Sequence, residues 1–101
     1  MILIRSIENN PIRLTQERLE HIFLGHPELD GQIDKIVDTV QQPDLVQLGD
    51  HGTRLAIRLF PKTPLTQKHL VVVYREIEDG FVLTAYFTSK PAQWRTVLWK
   101  R

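Results

Sequence analysis

Three polar side chains recur at every second position in the stretch from Phe81 to Lys90: Thr84, Tyr86 and Thr88, with Lys90 two residues further on. In an extended chain, residues two apart share a face, so this spacing sets two hydroxyls and a phenol in one row with an ammonium at its end. A second alternating stretch, Thr53 to Phe60, puts Arg54 and Arg58 together on one side. Guanidiniums pair with phosphate oxygens in a fork geometry and hydroxyls add donors, so the two rows on one sheet face would cradle a phosphodiester. Tyr86, with Phe60, offers a ring on which a base could stack. The plainer alternative is that Thr, Tyr and Arg cover a half-exposed strand, where such residues are common.

Proton transfer needs a further group. His21 and His26 flank the end of the helical stretch L-E-H-I-F-L-G-H-P-E. Five positions at about 100° each leave them roughly 140° apart around a helix, a poor metal chelate. Either imidazole titrates in the range that proton transfer at neutral pH requires. The chain has no H-E-x-x-H, paired-Asp or Cys/His ligand pattern, so neither metal-dependent hydrolysis nor any cofactor is expected. There is no Cys, which removes disulfides, thiolate zinc sites and a Cys nucleophile together. No Gly-rich phosphate loop and no Ser in a nucleophile elbow occurs.

The elements that must position these residues follow from periodicity. With 101 residues, one domain spanning 1–101 is expected, around a single modest core. Residues 1–8 read as a short strand or docked arm, and Asn9-Asn10-Pro11 as a turn. Thr15 is positioned to cap a helix from about Gln16 to Gly25 that buries Leu19, Ile22 and Phe23. Gly25 and Pro27 bracket a break. A second helix, capped by Asp30, is expected to run to about Gln42 with Ile33, Ile36, Val37 and Val40 on one face, and Pro43 stops it. The period then changes to two. Leu45, Val46 and Leu48 suit a short strand before the turn Gly49–Gly52. In Thr53–Phe60, Leu55, Ile57 and Leu59 are expected inward, with Arg54, Ala56, Arg58 and Phe60 outward. Pro61–Pro64 ends that strand, and a polar loop is expected to about Lys68. His69–Ile77 reads as a central strand, and Glu78-Asp79-Gly80 as a hairpin leading into Phe81. Pro91 suits the first turn of a last helix that carries Trp94, Val97 and Leu98.

The expected fold class is therefore α+β: two N-terminal helices packed on one face of a three- to four-stranded antiparallel sheet, closed by a short C-terminal helix. Apolar runs such as L-V-V-V-Y are far short of a membrane span, and Met1-Ile-Leu-Ile-Arg is too short for a signal peptide. A cytoplasmic location is the expectation.

The net charge is +1, but it is unevenly spread. Residues 1–50 hold four basic side chains against nine acidic ones. Residues 51–75 hold Arg54, Arg58, Lys62, Lys68 and Arg75 with no acid, and 81–101 hold Lys90, Arg95, Lys100 and Arg101 with none. If the two basic segments are neighbouring strands, one face is positive and suits an anionic ligand.

From Leu14 to Trp99, the motifs H-I-x-x-x-H-P-E, I-V-D-T-V-x-x-P-D and V-L-T-A-Y-F-T-S-K resemble the small phage and bacterial nucleases of the barnase–EndoU–colicin–RelE (BECR) superfamily. The resemblance implies a metal-independent ribonuclease, often a toxin, with helices ahead of an antiparallel sheet. It implies a catalytic His at His21 or His26, an early-strand cation at Arg54 or Arg58, and Thr84, Tyr86 and Thr88 with Lys90 from the late strand. The expected reaction is attack of an RNA 2′-hydroxyl on the adjacent phosphate. In it one His takes the proton, Arg54 or Arg58 with Lys90 steadies the phosphorane, and Thr84 or Thr88 bonds a non-bridging oxygen. RNA is the expected partner, together with an acidic antitoxin or immunity protein. The alternative from another class is a non-catalytic module that binds RNA or protein on the same face.

Overall fold

The computed structural model describes residues 1–61 and 69–101; the expected loop to Lys68, with Lys62 and Lys68 themselves, lies outside the described residues. The class is α+β. The chain opens with a hairpin of β1 (Ile2–Arg5) and β2 (Pro11–Leu14), whose register pairs Ile4 with Ile12. Of these two strands, only β1 lies where one is expected; Pro11–Leu14 is not read as a strand from the sequence. Asn9, at φ 63°, turns the chain between them, a conformation Asn tolerates better than most residues.

The first helix, α1 (Gln16–Gly25), begins as the sequence predicts: the Thr15 hydroxyl accepts a hydrogen bond from the Arg18 N–H at 3.1 Å. A 3₁₀ turn at Pro27–Leu29 follows, and α2 (Ile33–Gln41) starts later than expected, with Gln32 rather than Asp30 at its N-cap. Asp30 instead closes the 3₁₀ turn, its N–H donating to Pro27 O. Five further strands, β3 (Leu45–Leu48), β4 (Arg54–Leu59), β5 (His69–Tyr74), β6 (Val82–Thr88) and β7 (Val97–Lys100), form one antiparallel-paired sheet in the order β6-β5-β4-β3-β7. β7 replaces the expected C-terminal helix. Once Thr96 O accepts from Leu48 N–H and Arg101 N–H donates to Asp44 O, pairing with β3 satisfies backbone groups that one helical turn would leave open.

The main core lies between the helices, the hairpin and one sheet face. Leu19, Ile22, Ile36 and Val40 pack there with Ile4, Ile12, Ala56, Leu70, Val72, Tyr74, Val82, Ala85 and Phe87. A smaller apolar cluster, Leu55, Ile57 and Val71 with Leu45, Val73 and Tyr86, lies on the other face. The expected orientation of β4 is thus reversed. Ala56 faces the helices with Phe60 packed on the same core, whereas Leu55 and Ile57 face away and Leu59 is exposed. In β6, a register shift opposite Val73 and Tyr74 lets Val82 join Ala85 and Phe87 in the helix-side core.

The turn between β5 and β6 differs in detail from an Asp-Gly hairpin. Glu78 and Asp79 take the two left-handed positions, at φ 57° and 70°. Gly80 serves a close approach instead: a Cβ there would stand 2.8 Å from Arg75 O and from Ile12 Cδ1, where the β1–β2 hairpin crosses. Among the described residues, no helix is long and apolar enough to cross a membrane.

Candidate functional site

The β6 row forms as the alternation requires. Thr84, Tyr86 and Thr88 stand opposite Val73, Val71 and His69 of β5, and so share the sheet face turned away from the helices. Arg54 and Arg58 do not join them. Their β5 partners are Tyr74 and Leu70, both in the helix-side core, so the sheet separates these guanidiniums from the Thr/Tyr row. Arg58 is committed locally, donating to Gln42 O at 3.0 Å where α2 ends and lying 5.5 Å from the Phe60 ring. Arg54 stands near the buried Glu76, where its charge opposes the upward shifts of Glu8 and Tyr74.

The two His residues part company as well. His21 is exposed on the outer side of α1, beside Glu17, Glu20 and Leu24. His26 precedes Pro27, and a residue before proline is driven out of the helical region; it sits at φ −137° and ψ 73° as the C-cap of α1, its N–H bonded to Ile22 O at 2.7 Å. Released from the helix, its half-buried ring comes 6.1 Å from that of Tyr86, tilted by 34°. Its Nδ1 is 3.5 Å from Glu28 Oε1, two residues along in the same H-P-E motif.

The face that carries Tyr86 is not open. Residues 89–96 must travel from β6 at one sheet edge to β7 at the other, and they cross over this face as a strap. Gln47 Nε2 donates to Ala92 O at 2.7 Å, and Arg95 reaches Leu48 O at 3.4 Å and Asp50 Oδ1 at 3.2 Å, which pin the strap to β3 and the turn after it. Arg95 also stacks over Trp94, 4.4 Å from the ring centre. Beside the strap lies a cleft of about 330 Å³, whose walls include His51, Thr53, Arg75, Tyr86 and Arg95 over a floor of Leu55, Val73 and Leu83. Beyond it, under the strap, a cavity of about 140 Å³ runs past Gln47, Tyr86, Thr88, Lys90 and Trp94. Lys90 thus lies at the entrance of the strap, next to Thr88, whose hydroxyl accepts from the Lys90 N–H at 3.3 Å.

Among the described residues, Arg75, Arg95 and Lys90 are cations that line the cleft and the cavity under the strap. Arg95 is half-committed to Asp50, its side chain only 16% exposed. Arg75 has no ion-pair partner among the described residues. Sequence reading passed over Arg75 and Arg95. The signal for Arg75 is its position just beyond β5, an even number of residues from Val73 and Val71, which in extended chain places it with the Tyr86 face. Among the described residues, no three of His, Asp and Glu are grouped as metal ligands.

A separate polar cluster lies on the helix side. Glu76, 4% exposed, accepts from Ser6 Oγ at 2.5 Å, Asn10 Nδ2 at 3.1 Å and Tyr74 OH at 3.4 Å. Burial, reinforced by the Glu76 charge, pushes the Tyr74 phenol well up, so it stays a donor. A shared hydrogen bond with Glu76, then partial burial and the Glu76 charge, push the Glu8 carboxyl up. Comparison of the chain with protein-family models, curated proteins and solved structures finds no match.

Proposed function

We propose that this chain is a metal-independent RNA endonuclease whose reaction centre is the His26–Tyr86 edge of the strap-side cleft. The approach of the two rings, beside a cleft lined by Arg75 and Arg95, carries the reading. His26 takes the proton of an RNA 2′-hydroxyl; the 2′-oxygen bonds to phosphorus and the P–O5′ bond breaks. The imidazolium, or water, returns a proton to the 5′-oxygen. Arg75, with Arg95 and Lys90 at the rim, faces the charge that builds on the phosphorane. Thr84 and Thr88 remain the hydroxyls of the row, available to a non-bridging oxygen. Arg54 and Arg58 have no part in this arrangement, and His21 is not the base. A cytoplasmic toxin, held in check by an acidic antitoxin or immunity protein, is the biological setting this reading implies.

The test is incubation of the purified protein with total RNA in EDTA, alongside His26→Ala and His21→Ala. The expected result is 2′,3′-cyclic ends, lost about 10²-fold or more in His26→Ala and retained in His21→Ala. Full activity in His26→Ala, or a requirement for a divalent ion, overturns the mechanism. RNA bound without cleavage by any form supports the non-catalytic binding module instead.

A further inference from the structure

The strap roofs a cavity that borders the proposed reaction centre at Tyr86, Thr88, Lys90 and Arg95 and extends to Gln47 and Trp94, which the cleavage chemistry does not use. Gln47 lies in β3, opposite Leu55, and is 2% exposed beneath Ala92. The Ala92 carbonyl can only accept, so the Gln47 amide must turn its NH₂ toward it, and that orientation leaves Oε1 as the group without a role. Among the described residues, Gln47 Oε1 has no hydrogen-bond partner. A buried acceptor left unpaired is uncommon in a folded protein and calls for a donor. Gln47 is one of the residues around a cavity of about 140 Å³, of the order of the engineered cavity of roughly 150 Å³ that takes up benzene. Ile57 and Val71 give it an apolar floor, Tyr86 and Trp94 give it aromatic walls, and Lys90 and Arg95 place positive charge beside it.

We infer that this cavity under the strap is a base pocket that takes a pyrimidine nucleotide, with Gln47 Oε1 accepting from an N–H on the base edge. A single six-membered ring matches the volume, and both cytosine, through its amino group, and uracil, through its ring N–H, present a donor. Trp94 is 77% exposed, so one face is free to cover the ring while Arg95 stacks on the indole. The attached phosphate reaches Lys90 or Arg95. In identifying the heterocycle as an RNA base the inference rests on the nuclease reading; the size of the cavity then sets which nucleotide flanks the cut.

The experiment is calorimetric titration of the full chain with cytidine, uridine, adenosine and guanosine 3′-monophosphates, which bind without being cleaved. Saturable binding of the two pyrimidine nucleotides, about tenfold or more tighter than the purines, is expected. Gln47→Leu and Trp94→Ala, the second of which changes only an exposed side chain and so leaves the fold intact, should each weaken pyrimidine binding about tenfold. Equal binding of all four nucleotides, no binding, or wild-type binding by both variants overturns the pocket. Pyrimidine binding by a protein that never cleaves RNA keeps the pocket and removes the nuclease. Cleavage of RNA without any monophosphate binding does the reverse.

Discussion

The His26 ring stands 6.1 Å from the Tyr86 ring, so the cap of the first helix and the sixth strand meet at one edge of the sheet. The imidazole thus has the tilted Tyr86 ring on one side and Glu28 Oε1, 3.5 Å from its Nδ1, as a second neighbour. Tyr86→Ala should therefore slow RNA cleavage in EDTA by roughly 10–10²-fold through loss of positioning, while Tyr86→Phe, which keeps the ring, should retain most of the rate. Initial rates at pH 7 decide it; equal rates in both variants would show that Tyr86 does not hold the base.

Arg54 and Arg75 lie on opposite sheet faces and should separate stability from activity. The Arg54 charge acts on Glu8 and Tyr74 on the helix side, so Arg54→Ala should lower the urea midpoint slightly and leave the cleavage rate of the folded protein unchanged. Arg75→Ala should do the opposite, with a loss of about 10²–10³ in rate and little change in the unfolding midpoint. A large rate loss in Arg54→Ala would return the site to the other face.

Glu76 gathers three donors from the hairpin and β5, two of which have little access to water. Glu76→Ala strands them and should destabilise the chain by about 3–5 kcal/mol, while Glu76→Gln, which keeps one acceptor oxygen, should cost less. Urea midpoints of the two variants against the parent measure the difference.

The raised Glu8 carboxyl gives stability a definite slope with pH. Between the ordinary carboxylate range and the higher value of Glu8 in the folded chain, the folded state binds more protons than the unfolded state. This contribution is complete below that window and is lost as pH rises through it. Thermal unfolding across mildly acidic pH should show Tm falling with rising pH in this window against the parent trend, and Glu8→Gln should flatten that component.

Gly80→Ala should destabilise by about 1–3 kcal/mol, because the added methyl meets the Arg75 carbonyl and Ile12 where two hairpins cross. Gly31→Ala is a useful contrast, since nothing lies within 4 Å there and its cost comes from φ 81° alone. Equal unfolding midpoints for Gly80→Ala and the parent would mean that the crossing yields without penalty.

Local chemistry in the chain was enough to place α1, its Thr15 cap, the start of the two-residue period after Pro43, and the row Thr84, Tyr86, Thr88 on one face. Each depends on near neighbours: a hydroxyl three residues from an amide, a proline that cannot continue a helix, side chains that alternate. Which face of the sheet that row shares with the arginines depends on distant packing. Leu55, Ala56 and Ile57 are all buried, because helices cover one side of β4 and the strap borders the other, so apolar character could not mark the inward side. The same strap converts Val97–Lys100 from a plausible helix into a strand, since a free β3 edge offers hydrogen bonds that no local pattern announces. Tertiary structure alone brings His26 to Tyr86, separates both from Arg54, and leaves Gln47 Oε1 buried without a donor, because each outcome is set by where residues far apart in the chain come to lie.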